Sequence, residues 1–387
     1  MKLNDCYNFD DFRKLAKRRL PGPIFNYIDG AADDEVSHLR NSSSFDDYEL
    51  IPNVLRGHSE IDMSVDVLGR KLDVPFYCSA TALQRLFHHQ GERAVAAASA
   101  KAGTLFGVST LGTVSMTELR KKYQTPQTFQ FYFHKDRALN KAMLEQAKEA
   151  GIDSIMLTVD SITGGNRERD LRTGFSIPFR LNLRGLLEFA VKPLWGLQFV
   201  TSEKIALPQL DDHIEFKGDS LSIGRYFTEM LDPTMTWDDV AELVDLWDGE
   251  FCLKGVMSTK DAIHAKEIGC KGIVISNHGG RQLDGVRAPI DQLGDIRQAL
   301  GGDFDILIDG GVKRGTHILK AIARGATAVG IGRYYLFGLA IAGEAGVQRV
   351  LDLLTREIER DMQLLGVNSI SEITEEHVRS LARQPVA

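Results

Sequence analysis

The segment SNHGGRQLDG (276–285) sets a titratable imidazole, His278, three residues before a permanent cation, Arg281, with two glycines between them that leave room for a ligand. A lone histidine is more often structural than catalytic, but this spacing points to a proton-transfer group beside an anion-binding group. Asp160 closes the apolar run SIMLTVD (154–160). A carboxylate there would bond His278, fix its tautomer and stabilise the imidazolium formed on taking a proton; the alternative for Asp160 is a helix N-cap. Lys254 closes FCLKGV (251–256) and admits three roles: Schiff-base nucleophile, phosphate ligand, or fixed cation beside a cofactor that becomes anionic during turnover. Two further runs end in glycines and cations, DGGVKRG (309–315) and GIGR (330–333), a composition suited to a phosphate.

Residues so far apart in the chain need a scaffold that gathers strand ends. From about Asp73, short apolar runs alternate with segments of helical periodicity, the pattern of a parallel sheet with crossover helices. The other runs are PFYCSATA (75–82), TLFGVST (104–110) and TFQFYF (128–133), while GIVISNHG (272–279), DILIDGG (305–311) and AVGIGR (328–333) carry motifs already named. Eight runs predict an α/β fold of the (β/α)8 TIM-barrel class, in which polar residues closing the strands face the active site. Arg137 to Ala150 reads as one ordinary crossover helix, ended by Gly151. The chain reads as a single domain over 1–387. Residues 1–60 form a helical preface, broken at Pro21-Gly22-Pro23 with a second helix from near Ile24, that closes one end of the barrel; 161–250 is a long insertion after strand four. Within that insertion LNLRGLLEFAVKPLWGLQFV (181–200) has two readings, an amphipathic segment lying on a membrane surface or a helix packed on its own barrel or a neighbouring subunit.

A formal net charge of −7 without a Lys/Arg block argues against nucleic acid as the main partner. Four cysteines, Cys6, Cys78, Cys252 and Cys270, show no metal-ligand or disulfide-scaffold spacing, which suits a reducing compartment. No apolar run approaches the ~20 residues of a spanning helix, so the expectation is a cytoplasmic protein, soluble or peripheral on the inner face of the cell membrane.

Together these motifs resemble the FMN-dependent α-hydroxy-acid oxidase and dehydrogenase family, which includes glycolate oxidase, mandelate dehydrogenase and flavin-linked L-lactate dehydrogenases. SNHGGRQLDG, LTVD (157–160), LKG (253–255), DGGVKRG and GIGR fall at the expected strands in the expected order, and the match spans nearly the whole chain. The resemblance implies FMN over the barrel mouth, with the backbone of Ala80, Thr81 and Ala82 near its reactive edge and Ser109, Gln130, Thr158 and Ser276 about its polar rim. Lys254 would face the pyrimidine end as a fixed positive charge. Asp309, Gly310, Gly311, Lys313, Gly332 and Arg333 would bind the ribityl and phosphate groups, with Lys313 standing where the family commonly has Arg.

The same resemblance assigns the substrate carboxylate to Arg281 and Tyr27, with Arg167 as a second cation, the substrate hydroxyl to Tyr132, and the role of base to His278. Ala80 and Leu111 resemble the small and aliphatic pocket residues of the lactate-oxidising flavocytochrome, where glycolate oxidases tend to carry Trp at the position of Leu111; this points to L-lactate, with glycolate, mandelate or a longer acid as alternatives. Ile162, Thr163 and Tyr334 depart from the family's usual residues, at the pocket rim. No heme-binding segment is read in the short preface. The similarity of 181–200 to the membrane-associating segment of bacterial mandelate and lactate dehydrogenases points to delivery of electrons to a quinone rather than oxygen, and the family implies a homotetramer. The rival of another class is a Schiff-base barrel lyase built on Lys254. The base must be neutral in the free enzyme, and Asp160 is expected to raise its pKa and move the acid limb of activity upward.

Overall fold

The computed structural model of the protein describes residues 1–57, 60–175, 189, 191–211 and 229–381. Eight parallel strands close into a barrel: β1 (Phe76–Cys78), β2 (Phe106–Ser109), β3 (Gln127–Tyr132), β4 (Ser154–Thr158), β5 (Glu250–Lys254), β6 (Gly272–Ile275), β7 (Asp305–Asp309) and β8 (Ala328–Ile331), with β8 pairing back onto β1 through Val329 opposite Phe76. These are the eight runs of the sequence, trimmed. Ladder pairing stops at Cys78, Thr158 and Ile275, so residues 79–82, Asp160 and His278 lie in the loops beyond the strands.

The inward face of the barrel changes character along each strand. Tyr77, Met156, Cys252, Val274, Leu307 and Ala328 form a buried apolar layer inside it. Side chains of a strand alternate with period two, so the next inward residues are Ser79, Thr158, Lys254, Ser276, Asp309 and Gly330. The polar layer thus stands directly on the apolar one. At the opposite end a hairpin, Val65–Val67 paired with Arg70–Leu72, inserts Val67, Leu68 and Leu72 into the apolar layer, and the Leu68 N–H donates to Asp305 Oδ2 at 2.7 Å.

The preface covers the mouth. Helix α1 (Phe9–Arg19) starts at an Asn8 cap and sets Phe9 and Phe12 edge-on against Tyr334, with ring centroids 5.4 and 5.6 Å apart. Helix α2 (Gly22–Asp29) begins at Gly22, two residues before the expected Ile24. Pro23 needs no backbone donor in a first turn, so the Pro-Gly-Pro break ends at Pro21. Helix α3 (Val36–Ser43) lies on the loop after β6, where Asn41 and Asn277 exchange two amide hydrogen bonds of 2.7 Å.

The connection after β4 is also partly ordinary barrel. Its last part, Trp237–Trp247, opens with a Thr236/Asp239 capping box and supplies the crossover helix to β5. Before it, Glu168–Thr173 docks on α2, where Asp29 bridges Arg13 at 2.5 Å and Arg169 at 2.8 Å. Helix Pro193–Thr201 buries Trp195, whose indole donates to Leu86 O at 2.9 Å, and leaves Leu194, Leu197 and Val200 between 63 and 80% exposed. One face is therefore packed on the barrel, as the second reading of 181–200 expects, while the other is open. Residues 181–188 and 190 of that segment lie outside the described residues.

Candidate active site

Two residues past β4, Asp160 Oδ1 lies 3.1 Å from His278 Nδ1 across the barrel mouth. The loop after β6 takes three successive positive φ angles, His278 (56°), Gly279 (65°) and Gly280 (76°). A Cβ on Gly280 would come within 2.6 Å of the His38 backbone, so the glycine lets α3 approach the turn. A left-handed conformation in a histidine costs on the order of 1 kcal/mol and turns its ring toward Asp160, while the His278 N–H is held by Ser276 Oγ at 3.0 Å. Gln282 fastens this turn to the loop after β4, donating to Thr163 O at 2.8 Å and accepting from Gly165 N at 3.0 Å.

Beneath lies a compensated charge cluster. Lys254 Nζ donates to Ser276 Oγ at 2.9 Å and pairs with Asp309 Oδ2 at 3.2 Å, while Ser276 Oγ donates to Asp309 Oδ1 at 2.6 Å. Burial alone would push the Lys254 pKa down, but Asp309 and then Asp160 outweigh it and hold the ammonium above its ordinary value. A Schiff-base lysine needs a neutral amine, so this arrangement speaks against the lyase reading. A hydroxyl-amide chain continues around the barrel: Leu111 N to Ser109 Oγ (3.2 Å), Ser109 Oγ to Gln130 Oε1 (3.0 Å), and Gln130 Nε2 to Thr158 Oγ1 (2.8 Å).

All the expected site residues except Asp160 and Ser276 line one cavity of about 1240 Å3, counting its open mouth. Those two stand behind His278 and Lys254. Ala80, Thr81 and Ala82 form one wall, with Thr81 Oγ1 2.7 Å from Tyr335 Oη. Tyr132 is buried, and burial followed by Asp160 raises its hydroxyl pKa. Tyr27 stacks on Phe175, centroids 4.4 Å apart, and lies under the Arg281 guanidinium at 5.0 Å.

The expected clamps are only partly formed. Arg281 Nη1 donates to Tyr27 O (2.7 Å) and Gly30 O (2.9 Å), leaving Nε and Nη2 without a hydrogen bond among the described residues. Arg333 directs Nε, Nη1 and Nη2 to Ile28 O, Gly279 O and Gly30 O at 2.9–3.0 Å, so in this structure it ties α2 to the His278 turn. Lys313 Nζ rests over the Phe9 ring at 5.0 Å. Among the described residues none of Arg281, Arg333 and Lys313 forms a salt bridge. Burial lowers the pKa of all three, with Arg167 adding to the effect at Arg281, and Arg333 falls to about 9. Half-buried cations without carboxylates among the described residues fit a cavity made for anions. Gly332 faces the same space, and a Cβ there would meet nothing within 4 Å. The residues present therefore fit a phosphate-bearing cofactor together with a carboxylate.

One electrostatic expectation is corrected. Burial lowers the His278 pKa, and although Asp160 raises it in return, the net shift is downward, with Lys254 and Arg167 adding to the lowering. This direction favours the neutral imidazole, so the acid limb is expected to lie lower rather than higher. Asp160 itself is raised by burial and lowered by His278 and Lys254, and stays ionised with a depressed pKa.

Phe9, Ile28, His38, Ser42, Ser79 and Phe87 also line the cavity and were not among the expected site residues. Four of them reach the mouth only through docking of the preface. Ser79 was legible, as the inward residue two beyond Tyr77. Burial, then Arg333, pushes the His38 pKa down to about 3.

Comparison with known proteins agrees with this geometry. A family model described as FMN-dependent dehydrogenase matches residues 16–380. The chain is 38% identical to a putative L-lactate dehydrogenase of Mycobacterium tuberculosis over 383 residues, covering 99% of this chain and 91% of the relative. It is 40% identical to an L-lactate oxidase of a Nostoc species (96% and 97% covered) and 35% identical to glycolate oxidase 3 of Oryza sativa (96% and 95%). Among solved structures, the monotopic membrane protein (S)-mandelate dehydrogenase superimposes with a TM-score of 0.92 at 32% identity, covering 97% of this chain and all of that one. The chain belongs to the FMN-dependent dehydrogenase family, takes FMN as its cofactor and oxidises a 2-hydroxy acid.

Proposed function

We propose that the protein oxidises L-lactate to pyruvate and passes the electrons to a membrane quinone. The observation that carries the reaction is the His278–Asp160 pair, at 3.1 Å, beside the cavity that Arg281 and Lys254 also line. Bound FMN supplies a two-electron acceptor. Arg281, with Tyr27 and Arg167, holds the substrate carboxylate and so orients the α-carbon. Tyr132 bonds the substrate hydroxyl. His278 removes, as a proton, one of the two hydrogens lost as the hydroxyl-bearing carbon becomes a ketone, the two electrons of the oxidation going to FMN, and Asp160 stabilises the resulting imidazolium. Lys254 would supply a fixed positive charge to the flavin, while Ser109, Gln130, Thr158 and the backbone of 80–82 would hold its ring. Asp309, Gly310, Gly311, Lys313, Gly332 and Arg333 hold its tail, the last after giving up carbonyl bonds.

Support for L-lactate comes from Ala80 and Leu111 in the cavity wall, a small and an aliphatic residue, and from lactate-named relatives. Support for a membrane acceptor comes from Val191, Leu194, Leu197 and Val200, all exposed on one segment, and from the monotopic neighbour. A single domain in a homotetramer, peripheral on the inner membrane face, completes the reading.

The test is the visible spectrum of the purified protein, repeated anaerobically with L-lactate, glycolate and (S)-mandelate in turn. Flavin bands that bleach fastest with L-lactate, and recover faster with a quinone than with oxygen, bear the reading out. Bleaching by another acid alone overturns the substrate; preferential recovery with oxygen overturns the acceptor.

A further inference from the structure

Ser161 follows Asp160 directly and is 3% exposed. Its hydroxyl donates to Asp160 Oδ1 at 2.9 Å and stands 3.3 Å from His278 Nδ1, so one carboxylate oxygen is shared between the serine and the histidine. The other oxygen, Asp160 Oδ2, is buried with no hydrogen-bond partner among the described residues. The Ser161 hydroxyl is therefore the one donor, besides the imidazole, bonded to the Asp160 carboxylate oxygens among the described residues.

We propose that Ser161 is a positioning residue that sets the basicity of His278 by drawing off part of the Asp160 charge. This rests on the reading of His278 as the base. A carboxylate oxygen that accepts a second hydrogen bond presents less negative charge to its first donor. With the serine bond in place, Asp160 still orients the ring but pulls less strongly on its proton, which keeps the imidazole neutral in the free enzyme. The groups facing His278 are Asp160 and Ser161 from the end of β4, Lys254 from β5 and Arg167 from the loop after β4; the two cations act in the same sense as the serine.

The experiment compares the wild-type holoenzyme with Ser161→Ala and Ser161→Thr. Loss of the hydroxyl is expected to raise the His278 pKa, moving the acid limb of kcat/KM up by roughly half to one pH unit, a loss of about 3- to 10-fold on that limb, with the neutral plateau and flavin content kept. Ser161→Thr, which retains the hydroxyl, should keep the wild-type limb. The pH titration of the His278 ring by 15N NMR, its resonance assigned through His278→Gln, reads the same shift without substrate and so stands apart from any failure of the lactate reading. An unmoved His278 titration in Ser161→Ala overturns the proposal, as does a lowered plateau on an unmoved limb. Should that variant lose flavin, the near-isosteric pair Ser161→Thr and Ser161→Val carries the same comparison, and equal titrations in the two overturn it.

Discussion

Two groups of charge meet in the cavity, one buried and one half-buried, and are built in opposite ways. Lys254 is enclosed by partners, Ser276 at 2.9 Å and Asp309 at 3.2 Å. Among the described residues, Arg281, Arg333 and Lys313 have backbone carbonyls or an aromatic ring and no carboxylate. The first cluster is electrically complete before any ligand arrives; the second is completed by one. Stability therefore resides in the first and binding in the second, and the distinction can be broken by substitution.

The largest effect is expected at Lys254. Lys254→Met leaves Asp309 buried without its cation, a loss of about 3–5 kcal/mol, read as a lowered denaturation midpoint of the flavin-free protein. If the midpoint holds, the cluster is not the keystone its geometry implies. Next, saturating FMN should stabilise the flavin-free protein, because the anion neutralises the second cluster; at a thousandfold excess over Kd the gain is about 4 kcal/mol in thermal or denaturant unfolding. Lys313→Met sharpens the contrast. Among the described residues its ammonium makes only a ring contact, so flavin-free stability should stay within about 0.5 kcal/mol of wild type while FMN affinity, measured by fluorescence quenching, falls roughly 10- to 100-fold, the worth of one charge-assisted phosphate contact. A marked destabilisation without FMN would place Lys313 in the first class.

The same contrast separates what was legible in the sequence from what was not. His278, Lys254, Asp309 and Thr158 sit on or just beyond strands whose apolar alternation is local, so a period of two and a glycine-rich ending suffice to locate them. The partners of the second cluster are tertiary. Arg333 is held by Ile28 O and Gly30 O, and Phe9 meets Lys313, because α1 and α2 dock over the mouth, which no local pattern encodes. For the same reason His38 went unread. The long connection hid an ordinary crossover helix, Trp237–Trp247, because its capping box at Thr236 lies far along the chain from Thr158, where the preceding strand ends. The sign of the His278 shift was also out of reach, since a sequence names the carboxylate neighbour but not the depth of burial that outweighs it.

The smallest predicted effect follows from that sign. His278 is the group whose protonation should end activity in acid, and its pKa is depressed below the ordinary 6.5, so kcat/KM should hold its plateau through pH 6.5 and fall only below it. Because the folded pKa is lowered, the protein forgoes stability as pH drops: a histidine more basic in the unfolded chain binds its proton there first, and folding weakens as acid passes 6.5 toward the folded value. Asp160→Asn removes the one neighbour that raises the pKa while Lys254 and Arg167 go on lowering it, so the limb should move further into acid as the plateau falls with loss of the imidazolium's partner. A limb that instead moves toward neutrality in Asp160→Asn would mean that the carboxylate does not raise the His278 pKa, and would overturn this electrostatic account of the pair.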